Sequence, residues 1–136
     1  MLSKILTTAG SIVTIAFGAW HFAVPTLWRW YDYIKPEATE LVLAVRATNL
    51  FFSLSLVLIG ITNIIFVFGK SNKFSLIAML SLSSVLWVVR CLMQIAYPQG
   101  TMNPALQYGM LAAFILVFCC FFISLILIAV KNQTAA

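Results

Sequence analysis

The polar side chains with the greatest capacity for chemistry lie inside long apolar stretches of the chain. They are the single histidine, two arginines, an asparagine and a glutamine: His21, Arg46, Asn49, Arg90 and Gln94. A guanidinium presents a planar fork of donors that suits carboxylate, phosphate or sulfate. Histidine can donate, accept or transfer a proton near neutral pH. Together these residue types predict a site for an anionic or carbonyl-bearing ligand.

The two arginines stand out because no aspartate or glutamate lies in the apolar stretches that contain them. A charged side chain at mid-membrane costs about 2.5–3.5 kcal/mol on scales derived from membrane insertion, so it usually has a partner or a function. Structural alternatives stay open. Each arginine can extend to the headgroup region or pair with Asp32 or Glu40, and His21 can simply form a hydrogen bond between helices.

The elements that position these residues are four apolar stretches, at about 5–28, 41–68, 74–97 and 104–130. Hydrophobic residues make up 63% of the 136 residues and charged residues 8%, whereas about a quarter of a soluble domain is charged. A helix rises about 1.5 Å per residue and the hydrocarbon core is about 30 Å thick, so each stretch can cross it. The sequence predicts an all-α integral membrane protein, a single domain formed by an antiparallel bundle of four transmembrane helices.

Local signals mark the breaks between the four stretches. Pro36 lies near the predicted start of the second helix, and Gly69 at its end. Asn72 and Asn103 are candidate N-caps for the third and fourth helices. The first eighteen residues resemble a secretory signal, but the apolar stretch continues to Trp28, so we expect a retained first span.

Basic residues predict the orientation of the bundle. Four lysines and no acidic residue flank the ends that carry the two termini and the second loop: Lys4, Lys70, Lys73 and Lys131. The opposite side carries Arg29 and Lys35 together with Asp32, Glu37 and Glu40. The positive-inside rule therefore places both termini in the cytoplasm, in what we expect to be a bacterial cytoplasmic membrane.

Polar residues form one stripe on each of the first three helices. The stripes are Thr7, Ser11, Thr14, Gly18, His21 and Pro25 in the first, Arg46, Asn49, Ser53, Gly60 and Asn63 in the second, and Ser83, Trp87, Arg90 and Gln94 in the third. The small residues among them are typical of close helix packing. Because the strongest polar groups all lie in the half away from the termini, the sequence predicts a pocket that faces outward.

Several kinds of site do not fit the sequence. The basic residues are scattered and form no run interleaved with aromatic residues, which argues against nucleic acid as a partner. One histidine and three cysteines at Cys91, Cys119 and Cys120 do not provide metal-ligand or redox spacing. The segment Gly69-Lys70-Ser71 lacks the glycine framework of a nucleotide-binding loop.

The stretch Gly18-Ala19-Trp20-His21-Phe22-Ala23-Val24-Pro25, with the aromatic run to Tyr33, resembles DoxX-like membrane proteins. Several of those have a glycine, a His-Phe pair and a proline at the end of the first of four helices. Some relatives are linked to quinone-coupled oxidation of sulfur compounds or thiols. The resemblance therefore implies a quinone as cofactor or an oxidoreductase as partner.

A second, partial resemblance is to the MAPEG proteins, small four-helix glutathione transferases and their relatives. Arg46-Ala47-Thr48-Asn49 is similar to the Arg-Ala-x-x-Asn that opens their second helix, although the asparagine here comes one residue early. Arg90, ahead of Gln94 and Tyr97, loosely matches their third helix. Phe52 stands where that family has a glutamate.

The leading hypothesis from the sequence is a non-enzymatic membrane module. Its pocket would bind an amphiphile or small anion, such as a quinone or a lipid headgroup, through His21, Arg46, Asn49, Arg90 and Gln94. One alternative is a membrane redox enzyme or MAPEG-like transferase that uses His21 for acid–base chemistry. Another is an accessory subunit of a larger membrane complex. The first expected partner is the lipid bilayer. The many small residues on the helix surfaces are also compatible with a homo-oligomer or with a membrane partner protein.

Overall fold

The structure is a computed structural model and describes residues 1–130. It contains one short and four long helices, in chain order α1 (Leu2–His21), α2 (Val24–Leu27), α3 (Thr39–Phe68), α4 (Lys73–Ala96) and α5 (Pro104–Val130). A 3-10 turn, Trp30–Tyr33, lies between α2 and α3. The part of the chain that is described contains no strand, and all four long helices are long and apolar enough to cross a membrane. The predicted all-α fold is confirmed.

The first predicted span, 5–28, is divided in the structure. Helix α1 ends at His21, and the chain continues through a break into α2. Pro25 explains the break, because it has no N–H to donate to the carbonyl four residues earlier, that of His21. The backbone then turns at Arg29, which adopts a left-handed conformation with φ 53°.

The starts of α4 and α5 follow the predicted signals, whereas the start of α3 does not. The Asn72 side chain accepts a hydrogen bond from the Ser75 N–H at 2.8 Å, and the Asn103 side chain accepts one from the Ala105 N–H at 3.0 Å. Both predicted N-caps are confirmed. Pro36 lies in a turn just before α3, which begins at Thr39 rather than at the proline itself.

The helices form an open arrangement rather than a closed ring. Helix α1 packs along both α3 and α5, and α5 packs along α4, whereas α3 and α4 touch each other only slightly. The ends of α1 and α5 that carry the two termini lie together, where the Ser124 hydroxyl donates to the Ser3 carbonyl at 3.2 Å. Adjacent long helices are therefore antiparallel.

Glycines allow α1 and α3 to approach each other closely. A Cβ added at Gly18 would lie 2.8 Å from the Ser53 carbonyl oxygen, and one added at Gly60 would lie 2.9 Å from the Ser11 carbonyl oxygen. No larger residue fits these positions without a shift of backbone. The small-residue stripe of α1 is thus a packing surface, as small residues commonly are between membrane helices.

Helices α3 and α4 come together only at the end that carries the termini. The loop between them is short there, and the Asn63 side-chain amide donates to the Ser83 hydroxyl at 2.8 Å. The main core lies between α4 and α5 and extends to the opposite end, where Trp87 and Phe114 are both buried. A gap between α3 and α4 therefore remains at that end.

Candidate functional site

The gap between α3 and α4 is a groove of about 790 Å³. Small-molecule sites typically occupy about 300–1,000 Å³. Residues of α3 between Leu41 and Leu56 form one wall, and residues of α4 between Leu86 and Met93 form the other. Residues of α1 form its floor. The walls are mostly apolar, and the lining residues with polar side-chain nitrogen or oxygen atoms are His21, Trp30, Thr48, Asn49, Trp87, Arg90 and Gln99.

His21 and Asn49 are joined by two hydrogen bonds across the α1–α3 contact. The Asn49 side-chain nitrogen donates to the His21 carbonyl oxygen at 3.1 Å. This carbonyl is the one that Pro25 leaves without its helical donor. The Asn49 side-chain oxygen lies 3.1 Å from Nδ1 of the His21 ring. The Asn49 amide thus supplies the missing hydrogen bond at the end of α1 and also fixes the orientation of the His21 ring.

This arrangement fixes which ring nitrogen of His21 carries the proton. The nitrogen of the Asn49 amide must face the His21 carbonyl, because an oxygen there would meet another acceptor. The Asn49 oxygen then faces Nδ1, so Nδ1 carries the hydrogen and donates it. In the neutral ring Nε2 is left as an acceptor, and the hydrogen bond that the His21 ring forms within residues 1–130 is made by Nδ1.

Aromatic residues enclose the His21 ring on several sides. The Phe52 ring centroid lies 4.8 Å from that of His21, and the Phe17 centroid lies 5.3 Å away, both with the rings at steep angles. Phe17 continues the contact to Phe114, with centroids 5.2 Å apart. The imidazole therefore sits half-buried in a rigid aromatic setting at the floor of the groove.

Arg90 approaches the same groove from α4. Its Nη2 donates to the Gln99 side-chain oxygen at 2.7 Å, and its guanidinium lies over the Phe114 ring, 4.3 Å from the centroid. Within residues 1–130 the one ion pair joins Arg29 and Asp32. The charge of Arg90 is therefore not neutralised by any carboxylate in that part of the chain, and Arg90 lines the same groove as His21.

Gln94 supports the site from behind rather than lining it. Its side chain is 2% exposed, and its nitrogen donates to the Gln99 carbonyl at 3.0 Å. Its oxygen accepts from the Gln99 N–H at 3.4 Å. Gln94 thus holds the loop after α4 so that the Gln99 side chain meets Arg90.

Arg46 lies outside the groove. It is exposed, and its guanidinium lies over the Tyr31 ring, 5.2 Å from the centroid. With about 3.6 residues per turn, Arg46 falls on the flank of α3 opposite to Thr48 and Phe52. Asp32, which the sequence offered as a partner for an arginine of the spans, instead pairs with Arg29.

The structure thus brings together three of the five predicted residues, His21, Asn49 and Arg90, in one groove. Sequence reasoning missed Gln99, because its position between Pro98 and Gly100 indicates only a turn. It also did not identify Phe17 or Phe52 as neighbours of His21. Their proximity to a histidine depends on helix packing.

Chemically, the groove offers guanidinium donors and an imidazole acceptor within mostly apolar walls. This combination can bind the polar head of a ligand whose remainder is apolar. The rim is exposed on both sides, at Ala44 and Thr48 of α3 and at Val89 and Met93 of α4. Comparison of the chain with protein-family models, with curated proteins and with solved structures finds no match.

Proposed function

We propose that this chain is a non-enzymatic membrane module that binds an amphiphile in the groove between α3 and α4. The polar head binds Arg90 and His21, and the apolar part lies along the walls. The observation that carries the proposal is an unneutralised guanidinium beside an unpartnered imidazole nitrogen in a mostly apolar groove. The opening faces sideways from the bundle, which suits a ligand that arrives through the lipid.

A lipid headgroup or a quinone fits this description. Each has oxygen acceptors for Arg90 and an apolar portion for the walls. The proposed likeness to DoxX-like proteins favours a quinone, since some of those are linked to quinone-coupled reactions. The aromatic residues beside His21 also suit a planar ring.

The proposal is tested by replacing Arg90 and measuring whether the protein still retains its ligand. We expect Arg90→Met to abolish retention of a co-purifying amphiphile in native mass spectrometry, because methionine keeps the apolar length of the side chain but not its donors. Arg46→Met is the matched control, since it removes a guanidinium that lies outside the groove.

The wild type and Arg46→Met should retain the same ligand, and thermal unfolding should show that all three proteins are folded. Equal retention by Arg90→Met and the wild type would remove the proposal. A stoichiometric protein that co-purifies with the wild type in place of a small molecule would favour the accessory-subunit alternative.

A second candidate function is a redox or transferase reaction at the same groove. The unpartnered Nε2 of His21 favours it, because a nitrogen acceptor beside a bound head can act as a general base. Turnover of a quinol or a thiol by the wild type, lost in His21→Gln, would support this function. Absence of turnover with both classes of substrate would exclude it.

We also propose that the groove end of the bundle faces outward and that the termini lie in the cytoplasm. Lys4, Lys70 and Lys73 lie at the end that carries the termini, in agreement with the positive-inside rule, while Lys131 lies outside the described residues. A C-terminal fusion to a reporter that is active only in the cytoplasm should be active. Activity of a periplasm-specific reporter at that position would reverse the orientation.

A further inference from the structure

We infer that the amphiphile is a weak acid with a compact head, a long-chain carboxylic acid being the simplest, and that it gives its proton to Nε2 of His21 as its carboxylate binds Arg90. This inference rests on the proposed function of amphiphile binding in the same groove, and it names a carboxylic acid as the ligand in place of the quinone or lipid headgroup considered there.

The position of the polar groups along the groove argues for a compact head. Asn49 lies midway along the α3 wall, with Leu41 and Val45 between it and the outer end of the helix and Leu56 on the other side. The α4 wall repeats this order, with Arg90 between Leu86 and Met93. A large hydrated headgroup would meet Leu86 and Met93 on either side of Arg90, and Trp30, Thr48 and Gln99 offer too few polar atoms to replace its hydration. A carboxyl group has only two oxygens to satisfy.

The charge of Arg90 argues for an acid rather than an alcohol or an ester. Its Nη2 bonds to Gln99 and one face of the guanidinium covers Phe114, while no hydrogen bond within residues 1–130 is made by Nε or Nη1. Both edges of a guanidinium that can match the two oxygens of a carboxylate include Nη2, which has a second hydrogen besides the one that Gln99 accepts. A neutral head would leave a half-buried cation without a counter-charge, which is unfavourable in an apolar setting.

The tautomer of His21 provides an acceptor for the proton of the ligand. Asn49 holds the hydrogen on Nδ1, so Nε2 offers a lone pair. In the proposed step the O–H bond of the neutral acid breaks and an N–H bond forms at Nε2. The electron pair stays on the carboxylate oxygen, which then pairs with Arg90. The total charge is unchanged, and no further reactant is required.

No other charged group of the described chain lines the groove to compete in this step. On α4 the group that faces His21 is Arg90. On α3, Arg46 lies against Tyr31, and Glu40 is exposed at the start of the helix. In the loop after α2, Asp32 is held by Arg29. From α5, the residue that reaches this region is Phe114.

Proton transfer to His21 makes binding dependent on pH. Above about pH 7 a free carboxylic acid is ionised and a free histidine is neutral, so formation of the complex takes up one proton. The affinity for the acid should then fall by up to about tenfold for each unit of rising pH. A ligand that binds without a proton should show no such slope.

The experiment compares three probes on the protein in phosphatidylcholine nanodiscs. They are hexadecanoic acid labelled with ¹³C at the carboxyl carbon, hexadecanol, and phosphatidylglycerol, which is anionic but has no acidic proton near neutral pH. We expect the acid to bind most tightly, with a ¹³C shift of an ionised carboxylate, and with an affinity that falls as pH rises. Proton uptake in a weakly buffered sample provides a second measurement that requires no variant.

His21→Gln separates the proton step from binding itself, because glutamine cannot take up the proton. We expect this variant to bind the acid more weakly and without a pH slope. A wild-type affinity that is flat with pH, or hexadecanol or phosphatidylglycerol binding more tightly than the acid, would overturn the inference alone. If no probe binds, the inference fails, and the proposed function fails with it only if native mass spectrometry of the wild type also shows no retained amphiphile.

Discussion

At the scale of single residues, the site depends on one missing helical hydrogen bond, the one to the His21 carbonyl. Pro25 removes the donor of the His21 carbonyl, and the Asn49 amide replaces that donor from another helix. The same amide then fixes the hydrogen on Nδ1 of His21. A proline within a membrane helix is tolerated where a neighbouring group satisfies the carbonyl that it frees. Here the satisfying group also orients the imidazole.

This pairing predicts a specific loss of stability. Asn49→Ala leaves the half-buried His21 carbonyl and the Nδ1 hydrogen without partners, so we expect the free energy of unfolding to fall by about 1–3 kcal/mol. In a Pro25→Ala background residue 25 regains an N–H that can bond to the same carbonyl, and the loss caused by Asn49→Ala should be smaller. Reversible unfolding of the four proteins in mixed micelles measures both losses. Equal losses in the two backgrounds would show that Pro25 and Asn49 are not coupled.

At the scale of helices, the sequence predicted what depends on local chemistry. The starts of α4 and α5 follow from Asn72 and Asn103, whose side chains accept hydrogen bonds from the first helical turn. The end of α1 was not predicted, because the apolar stretch continues to Trp28. The hydropathy of a residue carries no information about the backbone N–H that Pro25 lacks. Helix α1 therefore ends at His21, seven residues before the predicted limit.

The candidate site was predictable only in part, because helix packing decides which polar residues meet. A single stripe on α3 contained both Arg46 and Asn49. The close contact of Gly18 with the Ser53 carbonyl turns Asn49 toward α1 and leaves Arg46 on an exposed flank. Arg90 could be recognised from its type and depth, whereas its partner Gln99 lies in a turn that carries no such signal.

At the scale of the whole molecule, the order of helices creates the groove. Helix α1 contacts α3 and α5, and α4 is held through α5, so the bundle is open between α3 and α4. The loop between these helices and the Asn63–Ser83 hydrogen bond keep them together at the end that carries the termini. The opening is therefore confined to the opposite half, where His21 and Arg90 lie.

If ligands occupy this opening, filling it must prevent binding without any change to the polar residues. Ala44 is exposed and lines the groove, whereas Ala47 is exposed on the same helix and does not line it. We expect Ala44→Trp to lose amphiphile binding, because the indole takes the space of the ligand beside α3. Ala47→Trp, which places the same ring outside the groove, should bind as the wild type does. Both variants should unfold near the wild-type temperature, since exposed substitutions usually change stability by less than about 0.5 kcal/mol. Unchanged binding by Ala44→Trp would mean that the ligand does not lie between α3 and α4, and that Arg90 reaches it from another side of the bundle.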